Sequence, residues 1–188
     1  MKAVVVVEPE IPENTGFIAR LAANFDFQLR LVNPDFNLSE ARSTASGAQQ
    51  RLREAEIYSS VEEAIDGLDY VVGTKPGRGI ALEDFEPRSD TSIMIGRESS
   101  GLTNKELDMC DATVHIQTSG YESLNQSHAA AIFMHRLSGG GTEGASSGQK
   151  QKLEDMLGDS VLRDVLLRAN PSEEELNRVI GELRERKD

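Results

Sequence analysis

Cysteine, lysine and long hydrophobic runs are all scarce in this chain, and each scarcity removes a class of protein. The 188 residues hold one cysteine, Cys110, so no internal disulfide can form. The longest apolar stretch, Ala3–Val7, is far shorter than the ~18–20 residues that a bilayer-crossing helix requires. No charged-then-apolar leader is recognisable, and the expectation is a cytoplasmic protein with no membrane attachment. His115, His128 and His135 do not stand at ligand spacing with Cys110, which argues against a metal. No Gly-x-Gly-x-x-Gly follows the first apolar run and no Gly-x-x-x-x-Gly-Lys-Ser/Thr occurs anywhere. An ordinary Rossmann dinucleotide site and a P-loop nucleotidase are thereby disfavoured.

Basic charge is the next deficit. Thirty-two acids against twenty bases leave a net charge of −12, and only six of the bases are lysine while fourteen are arginine. An acidic, lysine-poor surface suits a salt-rich cytoplasm, where long-range charge is screened. Phosphate backbones are bound chiefly through basic side chains, so any such contact must rest on local arginines and lysines.

What is present alternates. Ala3–Val7 is β-branched and reads as a strand buried on both faces. A helix then opens at Ile11-Pro12-Glu13-Asn14, with Phe17, Ile18, Leu21, Ala22 and Phe25 at helical spacing. Gln28–Val32 is the next strand, Glu40–Glu54 a helix, and a short strand surrounds Ile57. Ser60 and Glu63 have capping-box spacing, as do Thr103 and Glu106. Strands are expected at Tyr70–Gly73, Thr91–Ile95 and Ala112–Ile116, and a long helix at Leu124–Leu137. The alternation predicts an α/β domain over residues 1–138 with a mostly parallel, doubly wound sheet. Residues 139–149 have the composition of a flexible Gly/Ser linker. Beyond it, 150–188 reads as a helical extension, with helices at Lys152–Leu157, Val161–Arg168 and Glu173–Arg186 and a third capping box at Ser172 and Glu175.

Open parallel sheets bind ligands outside the carboxyl ends of their strands, so the loops after Val7, Gly73, Ile95 and Ile116 should share one edge. Those loops carry the unusual residues: Asn14 and Arg20, Thr74 to Gly79, Gly96-Arg97-Glu98-Ser99-Ser100-Gly101-Leu102, and Ser123-Leu124-Asn125-Gln126-Ser127. Each also suits a plainer role. Gly96 and Gly101 fit a tight strand-to-helix turn, the Ser123–Ser127 run fits a helix cap, Asn14 a turn and Arg20 a solvated helix charge.

Taken together, Asn14–Arg20, Ile93–Leu102 and Ile116–Ser127 resemble the three motifs of SpoU/TrmH-type RNA ribose 2′-O-methyltransferases, in the family's order. The resemblance covers residues 2 to about 137. Ala45-Ser46-Gly47-Ala48, with Leu52, Ala55, Ser60 and Ala64, is similar to the TrmJ branch; Glu8–Pro12 with Asn14-Thr15-Gly16 is similar to the TrmL branch, which methylates the wobble nucleotide. The TrmJ branch is the preferred match.

The resemblance implies a C-terminal trefoil knot, S-adenosylmethionine as cofactor, an obligate homodimer and a tRNA substrate methylated at anticodon-loop nucleotide 32. The wobble nucleotide 34 and ribosomal RNA are the alternatives, and a catalytically inactive RNA-binding protein is the reading from a different class. Carried onto this chain, it implies cofactor contacts at Thr74, Lys75, Pro76, Gly96, Ile116, Ser123, Leu124 and Asn125. It further implies Arg20 as the residue that handles the ribose hydroxyl, with Glu98 ordering Arg20 or the motif loops and Asn14, Ser123 and Asn125 supplying hydrogen bonds to substrate or loop backbone. Guanidinium groups stay protonated in proteins, so a positioning role is the more conservative one for Arg20. Arg42, Arg51, Arg53, Lys75, Arg78 and Arg97 are candidates for phosphate contacts. Gln117 and Gln126 depart from the family pattern, which has proline and an apolar residue there.

Overall fold

The computed structural model describes residues 2–138, 147–158, 160–168, 171 and 173–185. Its first strand, β1 (Ala3–Val7), is five consecutive buried residues. Their side chains alternate: Val4 and Val6 enter one core with Ile18, Leu29, Ile93 and Phe133, while Val5 and Val7 enter another with Val71, Met94, Leu102 and Leu107. A β-branched strand buried on both faces is what a sheet covered by helices on both sides demands.

Around β1 lie β2 (Gln28–Val32), β3 (Glu56–Tyr58), β4 (Tyr70–Thr74), β5 (Ile80–Ala81), β6 (Thr91–Ile95) and β7 (Ala112–His115). They form one sheet in the order β3-β2-β1-β6-β4-β7-β5, and every strand pairing is parallel. The expected parallel α/β architecture is therefore present. β7 is inserted between β4 and β5, its Val114 standing level with Thr74 on one side and Ile80 on the other.

Helix α1 (Pro12–Phe25) has proline in its first turn, where the missing N–H is harmless, and ends at Asp26 in the left-handed conformation. Its buried face is Asn14, Thr15, Ile18, Ala19 and Ala22, and Phe17, expected on the apolar stripe, is 45% exposed. Gly16 lies so close to the neighbouring turn that a Cβ there would fall 2.0 Å from Thr44 Oγ1.

The single helix expected over Glu40–Glu54 is instead two pieces. A 3₁₀ turn at Leu38–Arg42 is capped by Asn37 and Glu40, and α2 (Gln49–Arg53) follows after Gly47 at φ +81°. The left-handed glycine breaks the helical path, and the broken corner packs against α1. Ser60 caps α3 (Val61–Ile65) as expected, and Thr103 and Glu106 form a complete capping box on α4 (Asn104–Asp108). Helix α5 (Gln126–Ser138) begins two residues later than expected and packs on α1.

The tail forms α6 (Ser147–Leu157), α7 (Val161–Arg168) and α8 (Glu173–Glu185) around Leu153, Leu176 and Ile180. Helix α6 begins inside the span expected as linker, of which residues 139–146 lie outside the described residues, as does Ser172 of the third capping box. The tail reaches the sheet through Lys150, whose ammonium sits 5.1 Å above the Tyr70 ring and 3.7 Å from Asp111. That contact is at the amino end of β4, the edge opposite the loops singled out in the sequence. Among the described residues no helix is long and apolar enough to cross a membrane.

Candidate functional site

The carboxyl ends of β4, β6 and β7 open into a cavity of about 340 Å³. One wall is Thr74, Lys75 and Pro76, a second is the loop Gly96–Gly101, and the third runs from Val114 through Ile116 to Glu122, Ser123 and Leu124. Three short parallel strands ending side by side deliver these loops to one place, which is why residues 74 and 123 meet. Gly96 is required by close approach, since a Cβ there would lie 2.1 Å from the Gly101 carbonyl carbon. Lys75 does not point its charge freely: its ammonium donates to the Leu102 carbonyl at 2.9 Å and ties the first wall to the second.

Behind the cavity, a hydrogen-bond network joins three distant segments. The Glu98 carboxylate accepts from the backbone N–H of Glu10 at 2.8 Å, from that of Ile11 at 3.3 Å and from Asn14 Nδ2 at 3.1 Å. Asn14 Oδ1 in turn accepts from Asn125 Nδ2 at 3.2 Å. Asn125 Oδ1 accepts from the backbone N–H of Ser127 and of His128 and from the Ser127 hydroxyl, which caps α5. Ile11, at the start of α1, has no side-chain cap of its own. Glu98 supplies one from a remote loop, fixing the angle at which α1 leaves the site.

Charge beside the cavity is largely neutralised. Arg97 donates to Glu8 at 2.6 Å and to the two Glu106 oxygens at 2.9 and 3.1 Å. Hydrogen bonds from its side chain to Glu106 and Glu8 hold its guanidinium above the ordinary value. Glu8 takes the left-handed conformation, φ +44°, immediately after β1. Its carboxylate meets Arg97 from there, so Arg97, expected as a phosphate contact, is committed within the protein. Arg78 is bound to Asn104, Arg53 to Gln50 and Arg51 to Asp26. Arg20 and Arg42 are exposed and make no hydrogen bond or ion pair among the described residues. Among the described residues, no group of three or more His, Cys, Asp or Glu side chains is placed to hold a metal ion.

A family model described as the SpoU rRNA Methylase family matches residues 1–135. The chain belongs to the SpoU rRNA methylase family. This SpoU methylase is 35% identical over 154 residues to the tRNA (cytidine-2′-O-)-methyltransferase TrmJ of Methanocaldococcus jannaschii, an alignment that covers 73% of the chain and 67% of the relative. Among solved structures, one concerned with 2-OH methylation of C/U34 on tRNA superposes with a TM-score of 0.67 at 26% identity, covering 73% of this chain and 93% of that one. The SpoU methyltransferase AviRb of Streptomyces viridochromogenes, solved with AdoMet, superposes with a TM-score of 0.62 at 26% identity over 72% of this chain and 56% of its own.

Within this SpoU methylase, seven of the eight residues expected at the cofactor line the cavity: Thr74, Lys75, Pro76, Gly96, Ile116, Ser123 and Leu124. Asn125 does not; it stands in the network behind with Asn14. Glu98 belongs to both, lining the cavity and holding α1. Arg20 lies outside the cavity on the exposed side of α1, two turns beyond Asn14. The expected cofactor set left out several lining residues, among them His115, Gln126, Ala129 and Phe133. For the last three the signal was present: spacings of three and four residues put them on one face of α5.

Proposed function

We propose that this SpoU-family methyltransferase transfers a methyl group from S-adenosylmethionine to the ribose 2′-hydroxyl of a tRNA cytidine in the anticodon loop, at nucleotide 32. The observation that carries the reading is the cavity at the strand ends, walled by the three loops that contain the motif residues. Its lining fits the cofactor: apolar Ile95, Val114, Ile116 and Phe133 suit a flat ring, and the Glu122 carboxylate on the third wall suits the cofactor's positive charge. The relative from M. jannaschii is named for cytidine 2′-O-methylation of tRNA, and AviRb carries AdoMet.

The bound cofactor supplies a methyl group already activated by a sulfonium, so the ribose oxygen gains the carbon as the sulfur–carbon bond breaks. The chain's residues then have two tasks, orientation and removal of the hydroxyl proton. Glu98 and Asn125 hold α1 against the cofactor loops, and α1 carries Arg20 on its exposed side. Arg20 positions the ribose hydroxyl or its neighbouring phosphate. Because Arg20 lies outside the cavity of its own chain, we place it at the site of a second copy in a homodimer. Such a dimer would also cover Phe17 of α1 and Ile132 of α5, 45% and 43% exposed on two helices that pack together.

A second reading, nucleotide 34, is favoured by the likeness to the structure concerned with C/U34. Mapping ribose methylation in tRNA and ribosomal RNA, with and without the gene, separates the positions. Loss of methylation at 32 is expected, loss at 34 selects the second reading, and loss of none sinks both. Arg20→Ala is expected to lower transfer by at least about a hundredfold, within the range that general acid–base or positioning groups contribute, while cofactor binding measured by calorimetry stays unchanged. Full activity in that variant would refute the role of Arg20.

A further inference from the structure

Glu10 lies on the loop that follows β1, exposed and outside the cavity, yet it holds a residue that walls it. One oxygen of its carboxylate accepts from the Ser99 backbone N–H at 2.9 Å and the other from the Ser99 hydroxyl at 2.7 Å. In return, the Glu10 backbone N–H donates to the Glu98 carboxylate at 2.8 Å. Two loops 88 and 89 positions apart in sequence thus clasp each other in both directions.

The clasp acts where the cavity wall has least support of its own. The base of the wall is closed by the pairing of Arg97 with Gly101, whose N–H donates to the Arg97 carbonyl at 2.9 Å and whose φ of +68° turns the chain back. Its tip, Glu98-Ser99-Ser100, lines the cavity, and both serines are exposed. Among the described residues, Ser99 hydrogen-bonds to Glu10 alone. A tip held by one remote carboxylate keeps its place only as long as that carboxylate holds it.

We propose that Glu10 is a positioning residue of the cofactor site: by holding Ser99 it keeps the Gly96–Gly101 wall where it fits S-adenosylmethionine. The inference rests on the reading that this cofactor occupies the cavity. A wall in place for only a fraction of the time lowers the apparent affinity by that fraction. Releasing Ser99 therefore weakens binding without removing any atom that lines the cavity.

The test is calorimetric binding of S-adenosylhomocysteine, whose uncharged sulfur removes any direct attraction between Glu10 and a sulfonium. Glu10→Ala is expected to bind it about fivefold more weakly, the scale of one or two hydrogen bonds exchanged for water. Glu10→Gln is expected to stay within about twofold of wild type. Its amide oxygen can accept from the Ser99 N–H while its nitrogen donates to the Ser99 hydroxyl, so the clasp survives the loss of charge. On a Ser99→Ala background, where one of the two bonds is already gone, Glu10→Ala is expected to cost only about twofold. An unchanged affinity in Glu10→Ala, with or without a lower melting temperature, is what a merely structural role would give, and it overturns the proposal. Glu10→Gln binding as weakly as Glu10→Ala overturns it as well, because charge and not the clasp would then matter. So does a full fivefold cost on the Ser99→Ala background. Should wild-type protein not bind S-adenosylhomocysteine, the cofactor reading itself falls, and the inference with it.

Discussion

Glu98→Ala tests whether a loop far along the chain really caps the first helix. The substitution removes three accepted hydrogen bonds, two from the backbone N–H groups of Glu10 and Ile11 and one from Asn14. Losing a helix N-terminal cap costs about 1 kcal/mol, and hydrogen bonds to a charged acceptor reach about 1.5–3 kcal/mol when buried. The two backbone bonds are exposed and together make the cap, about 1 kcal/mol, and the part-buried bond from Asn14 adds about 1 kcal/mol, which gives about 2 kcal/mol in all. For a chain of this size, 1 kcal/mol moves the melting temperature by about 2–4 °C, so a fall of about 4–8 °C is expected. Circular dichroism melts give that number, and amide exchange locates it, with faster exchange at Glu10 and Ile11 than at β2. Glu98→Gln keeps one acceptor oxygen and should lose roughly half as much. A Glu98→Ala protein that melts within about 1 °C of wild type, with Glu10 and Ile11 still protected, would refute the capping argument.

Two further outcomes follow from the charged and sulfur groups near the site. Burial alone would raise the Glu106 carboxyl, but hydrogen bonds from Arg97 and Thr103 outweigh it and hold the group below its ordinary 4.5. A carboxyl depressed in the folded state adds stability that is complete above the unfolded value and is lost as pH falls through the folded one. Glu106→Gln is therefore expected to be less stable than wild type at pH 7, with the gap closing in urea titrations as pH falls below 4.5 through the depressed folded value; a constant gap as pH falls would contradict the assignment. The Cys110 thiol is pushed up to about 12 by burial, with Asp111 and Glu106 adding to the shift. Alkylation at pH 8 should accordingly be slow in the native protein and fast in denaturant, and native labelling as fast as that of a free thiol would show the site to be open.

How much of this was legible in the sequence depended on the range over which each feature is determined. The buried strands were readable because β-branched runs such as Ala3–Val7 and Thr91–Ile95 carry their own signal. Strand β5 was not, since Ile80–Ala81 is a strand only because β7 arrives beside it. The break at Gly47 was hidden by a local apolar pattern that fits one helix, although the Asn37 and Glu40 pair marked an earlier start. At the site, the rule that ligands sit at the carboxyl ends of parallel strands placed most lining residues correctly. It said nothing of which cations are already spent: Arg97 is held by Glu8 across 89 positions, a pairing without local trace. Gln126, in the sequence only a departure from a motif, has meaning once Gly96 is known to lie against it.

The place of β7 also sets an order of events during synthesis. β4 and β5 leave the ribosome before β7 exists, yet in the finished sheet they stand one strand apart, with β7 filling the space. Neighbouring strands are about 4.8 Å apart, so residues 80 and 81, which become strand only beside β7, either wait about 9.6 Å from β4 or lie elsewhere until the latecomer arrives. Both ways delay the last step until residue 115 has emerged, and the cavity, walled on one side by the segment that follows β7, is completed at that same moment. A ribosome stalled before β7 would therefore display β1 and β2 already paired, since both strands precede it in the chain, but no cavity for the cofactor.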